Sequence, residues 1–211
     1  MASRQLDYAR VMHEYGPRTA LIVVDVQNDF ADPDGALSVP GADLAVVAAN
    51  REIAAAAEAG ATVVATQDWH PERTPHFVTD GGPWPVHCVA GTWGAELKDT
   101  LVLPADAPRV RKGANGEDGY SGFTMRDPQT GETAPTELEG LLRDAGVDAV
   151  AVIGLATDYC VKATALDAVR LGLRTTVLTD AVAAVNLEPE DGARALDELR
   201  EAGVTLRATI G

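Results

Sequence analysis

Along the chain, short apolar runs rich in valine, isoleucine and leucine alternate with longer segments whose apolar residues recur at helical spacing. Six runs have strand character: 19–24, 61–66, 107–111, 149–153, 173–178 and 204–210. Continuous apolar runs of this length, bounded by turn residues, read as strands buried on both faces, the habit of parallel sheets. Between them, 42–59 is an alanine-rich helix stopped by Gly60. Segment 189–202 is a helix with Pro189 near its start and Gly203 just past its end. Thr136-Glu137-Leu138-Glu139 has the form of a capping box, opening a helix that Gly146 closes. This rhythm predicts an α/β fold: a three-layer αβα arrangement around one six-stranded, mostly parallel sheet in the common order 3-2-1-4-5-6. Residues 19–211 form that domain, and 1–18 read as an N-terminal extension to which a short helix fits.

The fourth strand leads into the stretch with the clearest chemistry. Gly154 breaks the apolar pattern, Thr157 offers an N-cap oxygen, and Val161, Thr164, Ala165, Ala168 and Val169 then follow helical spacing up to Gly172. Cys160 therefore falls in the first turn of a helix just past the carboxyl end of a strand. Unpaired amides and the helix dipole favour a thiolate there, and the same amides can receive an oxyanion. A cysteine so placed is more often a small core residue, so the rest of the chain has to decide.

In open parallel sheets, ligands bind outside the carboxyl ends of the strands, where strand order reverses. Asp25 ends the first strand, Asp68 and His70 the second, Lys112 the third, and Cys160 follows the fourth. Singly, Asp25 reads as a loop cap and Lys112 as a solvated charge; together they converge on one rim. Asp25, Lys112 and Cys160 form a nucleophile set in which the carboxylate takes the thiol proton and the ammonium favours the thiolate. Asp68, His70, His76 and His87 offer one carboxylate and three imidazoles, donors that suit zinc or ferrous iron, with manganese also compatible. The three histidines lie in or beside a long loop, 71–94, flanked by Trp69, Trp84 and Trp93. Cys88 adjoins His87 and is read as a packed core thiol rather than a further ligand.

Composition narrows the setting. With 17 basic and 32 acidic residues, the net charge of −15 argues against a nucleic-acid partner and against an anionic membrane surface. Two cysteines in 211 residues are not a disulfide framework, and neither a leader-like start nor a membrane-length apolar run is present, so the expected location is cytoplasmic.

In combination, several motifs resemble the nicotinamidase/pyrazinamidase branch of the isochorismatase-like cysteine hydrolases, over nearly the whole chain from Ala20 to Ile210. They are Asp25-Val26-Gln27-Asn28-Asp29-Phe30, Asp68-Trp69-His70-Pro71 with His76-Phe77, Trp84-Pro85-Val86-His87-Cys88, Lys112-Gly113, Tyr120-Ser121-Gly122-Phe123, and residues 154–161 around Cys160. The resemblance implies a triad of Asp25 as general base, Lys112 and the nucleophile Cys160. It implies metal ligation by Asp68, His70 and His87, with His76 matching a fourth ligand found in part of the family. Phe30 and Trp84 would sandwich a pyridine ring, Tyr120, Leu155 and Tyr159 would complete the substrate contacts, and the amides of Ala156 and Cys160 would form the oxyanion hole. Family members carry a cis peptide at the position of Leu155-Ala156. The implied activity is hydrolysis of a small pyridine carboxamide, nicotinamide, to nicotinate and ammonia, with pyrazinamide as an analogue, and a homo-oligomer is compatible with it. The rival reading is a metal-independent member acting on another amide or an N-carbamoyl compound, which leaves Asp68, His70 and His87 without work. A catalytically silent binding protein would leave the triad without work as well.

Overall fold

Strand β1 (Thr19–Val24) runs through the middle of the sheet, and Ala20 to Val24 are wholly buried in the computed structural model, which describes residues 15–209. It pairs in parallel with β2 (Thr62–Asp68) on one side and β6 (Ala149–Leu155) on the other. β3 (Arg109–Lys112) extends the sheet beyond β2, while β7 (Arg174–Ala183) and β8 (Thr205–Arg207) extend it beyond β6. The order β3-β2-β1-β6-β7-β8 is the predicted one, since β4 (Thr124–Arg126) and β5 (Thr133–Pro135) belong to a separate hairpin. Strand order thus reverses between β1 and β6, and that crevice receives the residues at the strand tips.

The period-two alternation of β1 divides the core. Leu21 and Val23 pack on one face with Val46, Ala49 and Ile53 of α2 (Ala42–Glu58). Ala20, Ile22 and Val24 pack on the other with Leu138 and Leu142 of α3 (Leu138–Asp144), Ala165 and Ala168 of α4 (Lys162–Arg170), and Leu199 of α5 (Asp191–Glu201). Helix α1 (Asn28–Ala31) is a single turn shortly after β1. Each face buries its apolar set against helices, which makes the three layers. Among the described residues, no helix is long and apolar enough to cross a membrane.

A hairpin joins the predicted elements, and two local expectations are corrected. The turn-rich stretch before α3 contains the antiparallel pair β4 (Thr124–Arg126) and β5 (Thr133–Pro135). Its strands are three residues long and largely exposed, so no buried face imposed an alternating pattern on them. Thr136 does not form a reciprocal capping box: its N–H donates to Phe123 O at 2.8 Å, while its hydroxyl accepts the Leu138 N–H at 3.1 Å and donates to Gly122 O at 2.6 Å. Thr157 does not cap α4 either: it opens a π-helical turn (Thr157–Val161) whose N-cap is Ala156, and α4 starts from Val161. The expected extension at 1–18 falls almost wholly outside the described residues.

Candidate active site

Four strand tips build the centre. Asp25 follows β1 in a left-handed conformation (φ 49°), which a short polar side chain tolerates better than most. Its N–H donates to Thr66 O at 3.2 Å, and Thr66 Oγ1 donates back to Asp25 Oδ1 at 2.7 Å. Lys112, the last residue of β3, is fully buried and donates to Asp25 Oδ2 at 2.7 Å. The same ammonium donates to Asp68 Oδ1 and to Gly119 O, and its Nζ stands 3.9 Å from Cys160 Sγ. Cys160 projects from the π turn, a form of helix recurrent at functional sites. Gly154 lets that connection pass against β1: its φ is 110°, and a Cβ there would sit 2.1 Å from Val24 O. The Leu155-Ala156 peptide is cis.

The protonation states follow from burial set against the single ammonium. Burial raises the Asp25 carboxyl to about 6, against the pull of Lys112. Burial opposes the charge on Lys112 too, but Asp25 and Asp68 outweigh it and hold the amine well above its ordinary value. For Cys160, burial dominates and Lys112 only partly offsets it, so the thiol lies well above the usual range. The start of the helix therefore does not by itself ionise the sulfur. At neutral pH the resting set is a carboxylate, an ammonium and a protonated sulfur, and the sulfur needs a base at the moment of attack.

Asp68 joins this set to the histidines. Its Oδ1 binds Lys112, and its Oδ2 lies 3.9 Å from His70 Nε2 and 4.0 Å from His87 Nε2. Gln27 fixes its main chain with a two-way amide clasp: Nε2 donates to Asp68 O at 2.7 Å and Oε1 accepts the Asp68 N–H at 2.8 Å. His70, His76 and His87 are buried and place ligand nitrogens within 4.8 Å of one another. Their rings are tightly clustered, with His70 stacked on His76 at a centroid distance of 4.8 Å. Gly113 makes room for this cluster, since a Cβ on it would lie 2.6 Å from the His70 ring.

A divalent metal fits this arrangement. Both nitrogens of His70 are buried without a hydrogen-bond partner among the described residues. An orphaned buried imidazole is costly unless something else takes its lone pair. Burial lowers His70 to about 4 and also lowers His87, in each case against the opposing pull of Asp68, so both stay neutral as ligands require. His87 Nδ1 donates to Pro85 O at 2.7 Å, leaving its Nε2 toward Asp68.

Between cysteine and histidines lies a cleft of about 430 Å³. All five expected ring contacts, Phe30, Trp84, Tyr120, Leu155 and Tyr159, line it, as do Ala156 and Cys160. Trp84 Nε1 donates to Tyr120 OH at 2.7 Å, and its ring meets Tyr159 edge-on at 4.9 Å. Of the flanking tryptophans, Trp84 alone belongs to the wall. Trp93 is exposed, and Trp69 stacks under the Arg111 guanidinium at 3.7 Å. Cys88 is a fully buried free thiol, raised well above its ordinary range by burial, as a core residue should be. Leu37, Val39 and Val185 complete the wall from loops whose sequences carry no signal of it. Asp118, bonded to His76, was equally silent, an acidic residue in a glycine-rich loop.

Comparison with known proteins agrees with this geometry. The chain is 42% identical over 206 residues to the nicotinamidase of Escherichia coli K12, covering 90% of this chain and 94% of that protein. The crystal structure of the pyrazinamidase of Pyrococcus horikoshii in complex with zinc matches with a TM-score of 0.81 and 44% identity, covering 92% of this chain and all of that one. PnC1 from L. infantum, solved in complex with nicotinate, matches with a TM-score of 0.81 and 38% identity over 91% of this chain and 93% of that one. Residues 19–210 match the isochorismatase domain, and the chain belongs to the isochorismatase family.

Proposed function

We propose that the protein is a metal-containing cysteine amidohydrolase that converts nicotinamide to nicotinate and ammonia, with pyrazinamide as an analogue substrate. One observation carries this reading: Lys112 bonds both Asp25, beside the sulfur, and Asp68, beside the imidazoles, so nucleophile and ligand cluster share one cleft. When bound, a divalent ion (zinc or ferrous iron, with manganese a third fit) would be held by Asp68, His70, His76 and His87 and would supply a Lewis-acidic centre for the ring nitrogen or a water. A metal-independent relative would leave the orphaned His70 nitrogens unexplained. The two free cysteines suit a reducing, cytoplasmic setting.

The protein's own groups account for the proton transfers. Phe30 and Trp84 hold the ring, and the carboxamide carbon sits beside Cys160. Asp25 takes the thiol proton as sulfur attacks, and the oxyanion is met by the amides of Ala156 and Cys160. Asp25 returns that proton to the leaving nitrogen, so ammonia departs and a thioester remains. Asp25 then removes a proton from water, which attacks the thioester; the acid leaves and the sulfur regains its proton. Lys112 stays charged throughout, holding Asp25 in place and countering the negative charge that builds on sulfur. The test is ammonia release from nicotinamide by the purified protein. Activity should fall on chelation, return with zinc or ferrous iron, and vanish in Cys160→Ala; wild-type turnover in that variant would end the proposal.

A further inference from the structure

Asp118 has no place in the chemistry above, yet it is bonded to one of its imidazoles. His76 Nδ1 lies 2.7 Å from Asp118 Oδ1, with side-chain exposures of 4% and 13%. An Nδ1–H donated to the carboxylate leaves Nε2 as the imidazole's free lone pair. Asp118 does not rely on this contact for its position. Its N–H donates to Arg126 O at 2.7 Å and its carbonyl accepts the Arg126 N–H at 3.0 Å, tying it to strand β4. A second clasp joins the same two loops: Thr74 Oγ1 donates to Gly116 O at 2.9 Å and accepts the His76 N–H at 3.2 Å. The carboxylate is thus delivered to His76 by a backbone ladder, from a segment 42 residues away in sequence.

We infer that Asp118 is a positioning residue for the metal centre: it fixes the tautomer and ring orientation of His76, makes Nε2 a stronger donor, and ties metal affinity to the β4–β5 hairpin. The inference rests on the proposed reading of the histidine cluster as a metal site. Carboxylate–imidazole–metal relays typically contribute 10- to 100-fold in affinity.

The experiment uses full-length protein stripped with chelator, then titrated with Zn²⁺ against a chromogenic competitor and with Co²⁺ followed by its visible absorption. Asp118→Asn keeps the backbone bonds to Arg126 and should weaken Zn²⁺ binding about 10- to 100-fold. It should also alter the Co²⁺ spectrum, while melting like the wild type in chelator. In a His76→Ala background, adding Asp118→Asn should weaken Zn²⁺ binding no further. Unchanged affinity and spectrum in Asp118→Asn, or an undiminished loss in the His76→Ala background, would overturn the role given to Asp118 alone. Wild-type protein that took up neither ion would overturn the metal reading and this inference together.

Discussion

Lys112 donates to Asp25 at 2.7 Å with both side chains wholly out of water, and its second carboxylate, Asp68, is nearly as buried. One ammonium is therefore shared by two buried acids. Removing one partner of a buried ion pair typically costs about 3–5 kcal/mol, because the remaining charge keeps its desolvation penalty. Lys112→Met should lose that much stability at pH 7, besides its activity. Lys112 is also what pulls Asp25 down; without it the folded-state carboxyl rises further above its unfolded value. A raised folded-state pKa stabilises at low pH, and that contribution is lost as pH rises through it. Urea unfolding should therefore show the deficit of Lys112→Met narrowing between pH 7 and pH 5. An equal deficit at both values would mean that the carboxylates do not depend on this cation.

The pH dependence of turnover follows from Asp25. Burial lifts its carboxyl to about 6, and a base must be ionised to accept the thiol proton. The acid limb of kcat/KM should fall below a midpoint near pH 6, rather than near the 4 of an exposed carboxylate. Asp25→Asn and Cys160→Ala should each lose on the order of 10³-fold or more in kcat, and the double variant should be no worse than either, as in units that act together. A wild-type profile flat down to pH 4.5 would assign the base elsewhere.

Substrate binding has a separable handle in the bond from Trp84 Nε1 to Tyr120 OH, 2.7 Å long and at the edge of the cleft. Tyr120→Phe removes the acceptor and leaves the indole of a buried tryptophan without its partner. At about 1 kcal/mol for a neutral hydrogen bond, KM should rise roughly fivefold, with kcat nearly unchanged, since the bond orients a wall and touches no reacting atom. Steady-state kinetics on nicotinamide checks the split; a fall in kcat at constant KM would contradict it.

The sheet was legible because its central strands, β1, β2 and β6, are largely apolar and bounded, and its order because parallel crossovers leave few alternatives. The reactive side chains were legible through their position at strand ends: Asp25, Asp68, Lys112 and Cys160 each stand within a few residues of an apolar run. What escaped depends on contacts between distant loops. The π turn at Thr157–Val161 differs from an α-helical start by one backbone hydrogen-bond register, which side-chain spacing does not encode. The protonated state of Cys160 is likewise invisible locally: a first-turn cysteine suggests a thiolate until burial is known. Asp118 meets His76 only because the 113–126 segment folds back across the site.

Asp29 shows how a motif residue can act without touching the substrate. Its Oδ2 accepts the Cys88 N–H at 2.7 Å and its Oδ1 accepts the Ala36 N–H at 3.0 Å, so one buried carboxylate ties the segment next to His87 to the loop carrying Leu37 and Val39. Cys88 sits at φ 46°, a conformation costing about 1–3 kcal/mol for a residue with a side chain, which persists only when its surroundings hold it. Asp29→Ala strips the acceptor from two amides; that of exposed Ala36 can turn to water, while that of buried Cys88 is left unpaired at about 1–3 kcal/mol. Metal-free protein should therefore lose about 1–3 kcal/mol in urea unfolding. Relaxation of Cys88 should also move His87, so Zn²⁺ affinity should fall by tenfold or more, in the range seen when a ligand's support is lost. Stability lost with affinity intact would place Asp29 in the scaffold alone and break its link to His87.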